Sequence, residues 1–253
     1  MNIVKVMGGL GNQFFQYAFA KQLEHSTGNK TKLDISFYNS SENFNNGVIP
    51  IRQFMLDKFQ CDFEIATQDE IKQCNLVLEC DYKNIKYNNC YFVGYWQKEA
   101  FFKDVREQIK KDITLKDEYV NEQAKFYITD VAIHVRRTDY LQLGMPICDK
   151  EYYKQAIEII KELENPSISV FSDDMNWCKR NLKHLCGCRT RFINMGDYTD
   201  WYIMNHAKYN VIANSSFSFW AAYTNPNSKV IAPSHWNLEG VTSPVDVEGW
   251  IYL

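Results

Sequence analysis

Short apolar runs that stop abruptly in polar clusters recur along this 253-residue chain. Val131, Ala132 and Ile133 form one such run, suited to a strand covered on both faces of a parallel sheet. Four ionisable side chains follow at once: His134, Arg136, Arg137 and Asp139. Residues 167–172 (SISVFS) and 210–213 (NVIA) are runs of the same kind, ending in Asp173-Asp174 and in Asn214-Ser215-Ser216-Phe217-Ser218. Residues 190–194 and 229–232 read as two more strands. Between these strands, apolar residues at helical spacing predict helices over 149–163, 175–185, 200–206 and 219–223, the first closed by Asn165-Pro166. Strands alternating with helices predict a parallel, doubly wound sheet.

The earlier part of the chain is less regular. Residues 2–7 (NIVKVM) predict a strand, Gly8-Gly9-Leu10-Gly11-Asn12-Gln13 a turn, and residues 14–24 a mostly buried helix. A second strand is expected at 31–34, a polar loop at 39–46, and short helical or extended pieces as far as residue 81. An aromatic strand is expected at 91–96. Residues 99–111 predict a helix with Phe101, Phe102, Val105 and Ile109 on its apolar side, and 119–129 a helical lead into the central strand. There is no internal repeat and no low-complexity linker. The change of pattern divides the chain into residues 1–125 and 126–253.

Composition narrows the picture. The chain is 45% hydrophobic and 15% aromatic, enough for a real core and too much for extended disorder. A net charge of -3 gives no overall basic field for nucleic acid, so any anion site must be local. The first residues lack the apolar core of a signal peptide, and no run approaches the ~20 apolar residues of a membrane span. The eight cysteines are therefore expected as reduced thiols in a cytoplasmic protein. The close pair Cys186-Gly187-Cys188 has no second pair or histidine cluster to complete a zinc site, which makes a structural role the expectation.

In open α/β sheets, ligands bind beyond the carboxyl ends of the strands. Adjacent guanidiniums there suit a phosphate, because each planar fork donates bidentate hydrogen bonds. A structural Arg–Asp pair, with Arg136 and Arg137 on opposite sides, fits the same residues. The glycine-rich corner before the first long helix suits anions or polar oxygens. It is neither a Walker loop nor a GxGxxG turn, and glycines needed only for a tight turn fit it as well. Taken singly, NSSFS is an ordinary helix cap and SDD an ordinary turn. Three polar clusters at the ends of three strands together favour a nucleotide-diphosphate site.

These motifs resemble one family. Gly8–Gln13 with FxQYA behind it, Gly94-Tyr95-Trp96-Gln97, His134–Tyr140, Phe171–Asp174 with Trp177, and Asn214–Ala222 (NSSFSFWAA) look like the α-1,2-fucosyltransferases, glycosyltransferase family 11. They keep the family's order from residue 8 to residue 222. The arginine motif is shared more loosely with α-1,6- and protein O-fucosyltransferases, while GGLGNQ and NSSFSFWAA narrow the likeness to the α-1,2 group. The chain is short for that family, and residues 141–149 form a compact loop after the arginines.

The resemblance implies an α/β fold of GT-B type, with two Rossmann-like domains facing across a cleft. Residues 1–125 would lie on the acceptor side and 126–253 would bind GDP-fucose. It implies inverting transfer of L-fucose from GDP-fucose to the 2-hydroxyl of a terminal galactose, with no cofactor and no metal. The sequence has no Asp-x-Asp. By position in the motif, Arg136 would contact the β-phosphate and His134 the nucleotide, while Arg137 and Asp139 would brace the loop by pairing with each other or with neighbours. Ser216, Phe217 and Ser218 would hold the diphosphate, and Asp173 or Asp200 the guanine. Asn12 would face the acceptor from a corner that includes Gly9, Gly11 and Gln13. The catalytic candidates are Arg136, Asn12 and Asp139, with no general base assigned. Tyr95, Trp96, Trp201 and Trp220 are candidates to stack on sugars, although core packing suits Trp220 better. The expected acceptor is a surface glycan, with a lipid-linked carrier and peripheral contact at the inner membrane face compatible with it. A non-catalytic nucleotide-sugar or glycan-binding module, and a fucosyltransferase of another linkage, are the competing readings. A dinucleotide-dependent oxidoreductase lacks its fingerprint here and ranks last.

Overall fold

The computed structural model describes residues 1–43, 51–83, 86–186, 189–236 and 247–253. The end of the expected loop at 39–46 and the Gly187-Cys188 part of the cysteine pair lie outside them. The described chain forms two compact units, Met1–Lys116 and Asp117–Leu253, each with its own parallel sheet.

The first unit runs β1 (Asn2–Lys5), α1 (Leu10–Thr27), β2 (Thr31–Asp34), α2 (Gln68–Lys72), β3 (Asn75–Leu78), β4 (Cys90–Val93) and α3 (Arg106–Asp112). Its four-stranded sheet has the order β2-β1-β4-β3. Helix α1 is its centre, with Phe14, Phe15, Tyr17 and Phe19 fully buried. It is longer than expected at both ends. Gly8 turns the chain at φ +81° and Gly9 is the extended N-cap, so Gly11, Asn12 and Gln13 fold into the first helical turn instead of preceding it. Gly28 closes the helix in the left-handed conformation, its N–H donating to the Glu24 carbonyl at 2.8 Å.

Two expectations for this unit need correction. The strand expected at 91–96 ends at Val93. The helix expected at 99–111 is two single 3-10 turns, Glu99–Phe101 and Lys103–Val105, before α3 begins. The cause is packing. Phe101 lies edge-on to Trp96 (5.3 Å) while Phe102 packs on Phe15 (6.0 Å), and Phe102 leaves helical space at φ -153°. Phe102, fully buried against Phe15, takes this non-helical φ and so separates the first turn from the second.

The second unit runs α4 (Glu122–Lys125), β5 (Val131–Val135), α5 (Thr138–Gln142), α6 (Lys150–Ile160), β6 (Ile168–Ser172), α7 (Met175–Asn181), α8 (Lys183–Cys186), β7 (Thr190–Ile193), α9 (Asp197–Asn205), β8 (Tyr209–Val211), α10 (Ser216–Tyr223), β9 (Lys229–Ala232) and β10 (Ile251–Tyr252). The helical lead-in expected at 119–129 is only the four-residue α4 after a 3-10 turn, and it belongs to this unit. The helix expected at 175–185 is α7 and α8, broken at Leu182. All six strands are parallel, in the order β10-β9-β8-β5-β6-β7. Every residue of β5 is buried, as its continuous apolar run requires. Helix α6 covers one face with Tyr153, Ala156, Ile157 and Ile160, packed against Val131, Ile133 and Val170. Among the described residues, no helix is long and apolar enough to cross a membrane.

Candidate functional site

Strands β8, β5 and β6 are neighbours in the sheet, and these are the three whose carboxyl ends carry the polar clusters. In the parallel register Val135 pairs with Ser172, so Arg136 and Asp173 leave the sheet side by side. Arg136 bonds the Asp139 carboxylate through Nη2, and its Nε lies 3.4 Å from Asp173. Its guanidinium also faces the Tyr140 ring at 5.6 Å. Burial works against this charge, but Asp139 and Asp173 outweigh it and raise the guanidinium's proton affinity. Arg136 is therefore a fixed cation, still partly open to solvent.

Arg137 goes another way. It stacks 4.2 Å over the Trp177 ring, with Nε 3.5 Å from Asp174. Arg137 thus pairs with its neighbour Asp174, and Asp139 with Arg136. Asp173, expected at the guanine, is occupied as a brace instead. Its carboxylate accepts from Arg137 N–H (2.9 Å), Thr138 N–H (3.0 Å) and Thr138 Oγ1 (2.7 Å), tying the end of β6 to the start of α5. Asp139, expected to brace the loop, is buried within the same network.

His134 is buried at the end of β5, its ring tilted against Phe217 with 5.5 Å between centroids. Burial, helped by the charge of Arg136, holds its pKa down to about 3, so the imidazole is neutral. Its Nδ1 has no hydrogen-bond partner among the described residues. Ser216 and Phe217 are half-buried in the first turn of α10, where the N-cap Ser215 offers no side-chain cap. Ser218 is fully buried and its hydroxyl faces the carbonyls of Ala213 (3.4 Å) and Ser215 (3.3 Å), so it stabilises the turn and presents no hydroxyl outward. Asn214 fixes the same turn, donating to the carbonyls of Pro146 (2.8 Å) and Trp236 (3.2 Å). Asp200 lies in the first turn of α9 and accepts from Met195 N–H at 2.9 Å. Burial, with Asp197 a lesser cause, raises its pKa to about 6.

In the first unit the glycine corner is a clasp. The Gly9 carbonyl accepts from Asn12 N–H (3.0 Å) and Gln13 N–H (3.1 Å), and Gly11 is buried in the same turn. Gln13, expected to meet a ligand, is fully buried with its amide committed to backbone: Nε2 donates to Gly8 and Gln53 carbonyls, and Oε1 accepts from Met55 N–H. Asn12 is half-buried, and its Oδ1 accepts from Gln97 Nε2 at 2.8 Å. Of the four aromatics considered for sugar stacking, Trp96, Trp201 and Trp220 are core residues, while Tyr95 is 46% exposed. Glu79, which the sequence did not single out, accepts from the backbone N–H groups of Tyr95 and Trp96. Among the described residues, no group of three or more His, Cys, Asp or Glu is gathered as metal ligands would be.

The family model described as glycosyl transferase family 11 matches residues 1–253. An alpha-1,2-colitosyltransferase of Escherichia coli is 29% identical, the match covering 92% of this chain and 91% of the relative. The O-antigen biosynthesis glycosyltransferase WbnK of Escherichia coli is 24% identical, over 97% and 98% of the two chains. The human galactoside alpha-(1,2)-fucosyltransferase 1 is 26% identical, over 85% of this chain and 63% of its own. Among solved structures, fucosyltransferase NodZ from Bradyrhizobium superposes with a TM-score of 0.53 at 13% identity, covering 87% of this chain and 92% of its own. The Escherichia coli heptosyltransferase WaaC with ADP gives a TM-score of 0.51 at 10% identity, covering 100% and 92%. The fold is α/β of GT-B type, with two Rossmann-like units in one chain.

Proposed function

The chain belongs to glycosyltransferase family 11, and on that premise we propose that it transfers L-fucose from GDP-fucose to the 2-hydroxyl of a terminal galactose, with inversion at the anomeric carbon. The observation that carries the donor half of this reading is the meeting of the carboxyl ends of β8, β5 and β6, where Arg136 is held between two carboxylates. Relatives named as galactoside α-(1,2)-fucosyltransferases support the linkage. Similarity to an O-antigen glycosyltransferase supports a surface-polysaccharide precursor as the acceptor.

In this mechanism the bond from the anomeric carbon to the GDP oxygen breaks as the acceptor oxygen bonds to that carbon, and the acceptor hydroxyl proton passes to solvent water, no side chain being assigned as its base. Negative charge builds on the β-phosphate. Arg136 is assigned to it, because a cation already fixed in place stabilises that charge with little reorganisation. The first turn of α10 is assigned to the diphosphate through the backbone of Ser216 and Phe217. Neutral His134 is assigned a hydrogen bond to the nucleotide, and Asp200 the guanine edge. With the leaving group's charge met by protein side chains and N–H groups, we assign the reaction no metal. Asn12 is assigned to the acceptor hydroxyl. Its amide orients that hydroxyl but is no base at neutral pH, so the proton departs late, from an already cation-like transition state.

A second donor has a specific observation behind it: a relative 29% identical is a colitosyltransferase. One assay separates the readings. GDP release is followed with GDP-fucose or GDP-colitose and a panel of β-galactosides, in EDTA, for wild type and Arg136→Ala. Acceptor-dependent release that survives EDTA, prefers GDP-fucose and falls by about 10²–10³ in the variant is the expected result. Preference for GDP-colitose transfers the conclusion to the second donor. Tight GDP-fucose binding with no release on any galactoside would leave a binding module or another linkage, and no binding would sink the proposal.

A further inference from the structure

Strand β3 ends beside β4, with Leu78 paired to Val93, so Glu79 and Gly94 come next to each other. Glu79 Oε2 accepts from both Tyr95 N–H (2.8 Å) and Trp96 N–H (3.1 Å). The approach is possible only because residue 94 is glycine: a Cβ there would lie 2.5 Å from Glu79 Cβ and 2.7 Å from its Oε2. The turn so held is strained. Trp96 sits at φ +57°, a left-handed conformation that costs a bulky residue about 1–2 kcal/mol. It is retained by the carboxylate on one side and by the stack of Trp96 on Phe19, 3.8 Å away, on the other.

What this turn presents is chemically pointed. Tyr95 is the exposed aromatic of the turn, and Tyr38 donates its hydroxyl to the Gly8 carbonyl of the glycine corner at 3.1 Å. Gln97, one residue past the strained tryptophan, donates to Asn12. Gln16 closes the other end, donating to the Gly94 carbonyl at 3.1 Å while accepting from Met7 N–H. An aromatic face beside amide groups suits a sugar, whose apolar C–H face and hydroxyl rim need both.

We propose that Glu79 is a positioning residue for the acceptor sugar: its carboxylate clamps the 94–97 turn so that Tyr95 and the Gln97–Asn12 pair face the same galactoside. This rests on the acceptor binding at the glycine corner, as the transferase reading has it. Glu79 does not touch the sugar. Because both N–H groups are served by one oxygen, glutamine can keep the clamp and alanine cannot.

The test compares Glu79→Ala, Glu79→Gln and Tyr95→Ala with wild type. Glu79→Ala and Tyr95→Ala are expected to raise the acceptor KM about tenfold while the donor KM stays within about twofold, since a displacement of about 1 Å at a positioning contact is enough to matter. The double variant is expected to be no worse than either single one. Glu79→Gln is expected to keep the wild-type acceptor KM. Hydrogen exchange over 94–97 is expected to quicken about tenfold in the alanine variant and not in the glutamine one. An unchanged acceptor KM in Glu79→Ala, or equal damage to both KM values and kcat, would overturn the inference in an active enzyme. If the wild type itself releases no GDP, the transferase reading has failed. Galactoside binding to wild type and Glu79→Ala then decides the clamp, equal affinity counting against it.

Discussion

At the scale of single residues, the donor-side chemistry depends on how burial and neighbouring charge set protonation. His134 and Asp200 are both pushed toward their neutral forms by burial, with opposite consequences at neutral pH. A histidine with a pKa near 3 carries no charge anywhere between pH 5 and 8, so it contributes no titration to activity in that range. Asp200 does titrate. Its carboxyl has a native pKa of about 6 against 3.8 for the free group, so between those values the folded chain holds a proton that the unfolded chain has released. The group therefore lowers stability as pH rises through that window, and the whole cost is present above pH 6. Asp200→Asn should be more stable than wild type by about 1–3 kcal/mol at pH 7.5, and nearly equal to it at pH 4, in denaturant titrations at the two values. Equal stability at pH 7.5 would mean that the carboxylate is well solvated or paired. The sequence marked both residues by position alone. It could not give their burial, nor the fact that Arg136, besides Asp139, and Arg137 reach Asp173 and Asp174, which follow the next strand.

Elements explain why those partners meet. A buried parallel strand is a continuous apolar run, so β5, β6 and β8 were legible as strands; β6 stops at Ser172 as expected, while β5 runs on to Val135 and β8 stops at Val211, short of Ala213. Elements made by packing were not legible. The short helix α5 follows the arginine motif because Asp173, from the neighbouring strand, captures Thr138 through both its N–H and its hydroxyl. Nothing at helical spacing announces it. Likewise the edge strand β3 leaves Asn75, Leu76 and Leu78 exposed and shows no alternation, yet it delivers Glu79 to the aromatic turn. Removing the Asp173 brace should loosen α5 and let Arg136 swing toward Asp139 alone. Asp173→Ala is expected to cost about 2 kcal/mol in stability and to weaken GDP binding about tenfold, read by thermal unfolding and by GDP titration. Asp149→Ala serves as the control. It removes the N-cap that accepts from Tyr152 N–H at 2.9 Å, so about 1 kcal/mol should be lost with GDP affinity unchanged. A parallel fall in GDP affinity in both variants would show that the Asp173 effect is only general loosening.

For the whole molecule, the proposed division of labour follows the division of the sheets. Among the described residues no strand is shared between Met1–Lys116 and Asp117–Leu253, and each unit buries its own apolar helix faces. Every residue assigned here to the nucleotide lies in the second unit, and every residue assigned to the acceptor lies in the first. The second unit is of ordinary size for a domain and has a core built from β5, β6, β8 and α6, so it should fold without the first. Residues 117–253 produced alone are expected to unfold cooperatively and to bind GDP within about tenfold of the whole chain, because every strand end proposed to form the site lies within them. With the acceptor groups missing, the same fragment should release no GDP on any galactoside. The complementary fragment 1–116 should bind no GDP. Thermal unfolding and GDP titration of both fragments check this. A folded second unit that has lost GDP affinity would place part of the nucleotide site on the first unit, and the donor assignments to Arg136, Ser216, Phe217 and Asp200 would then be incomplete.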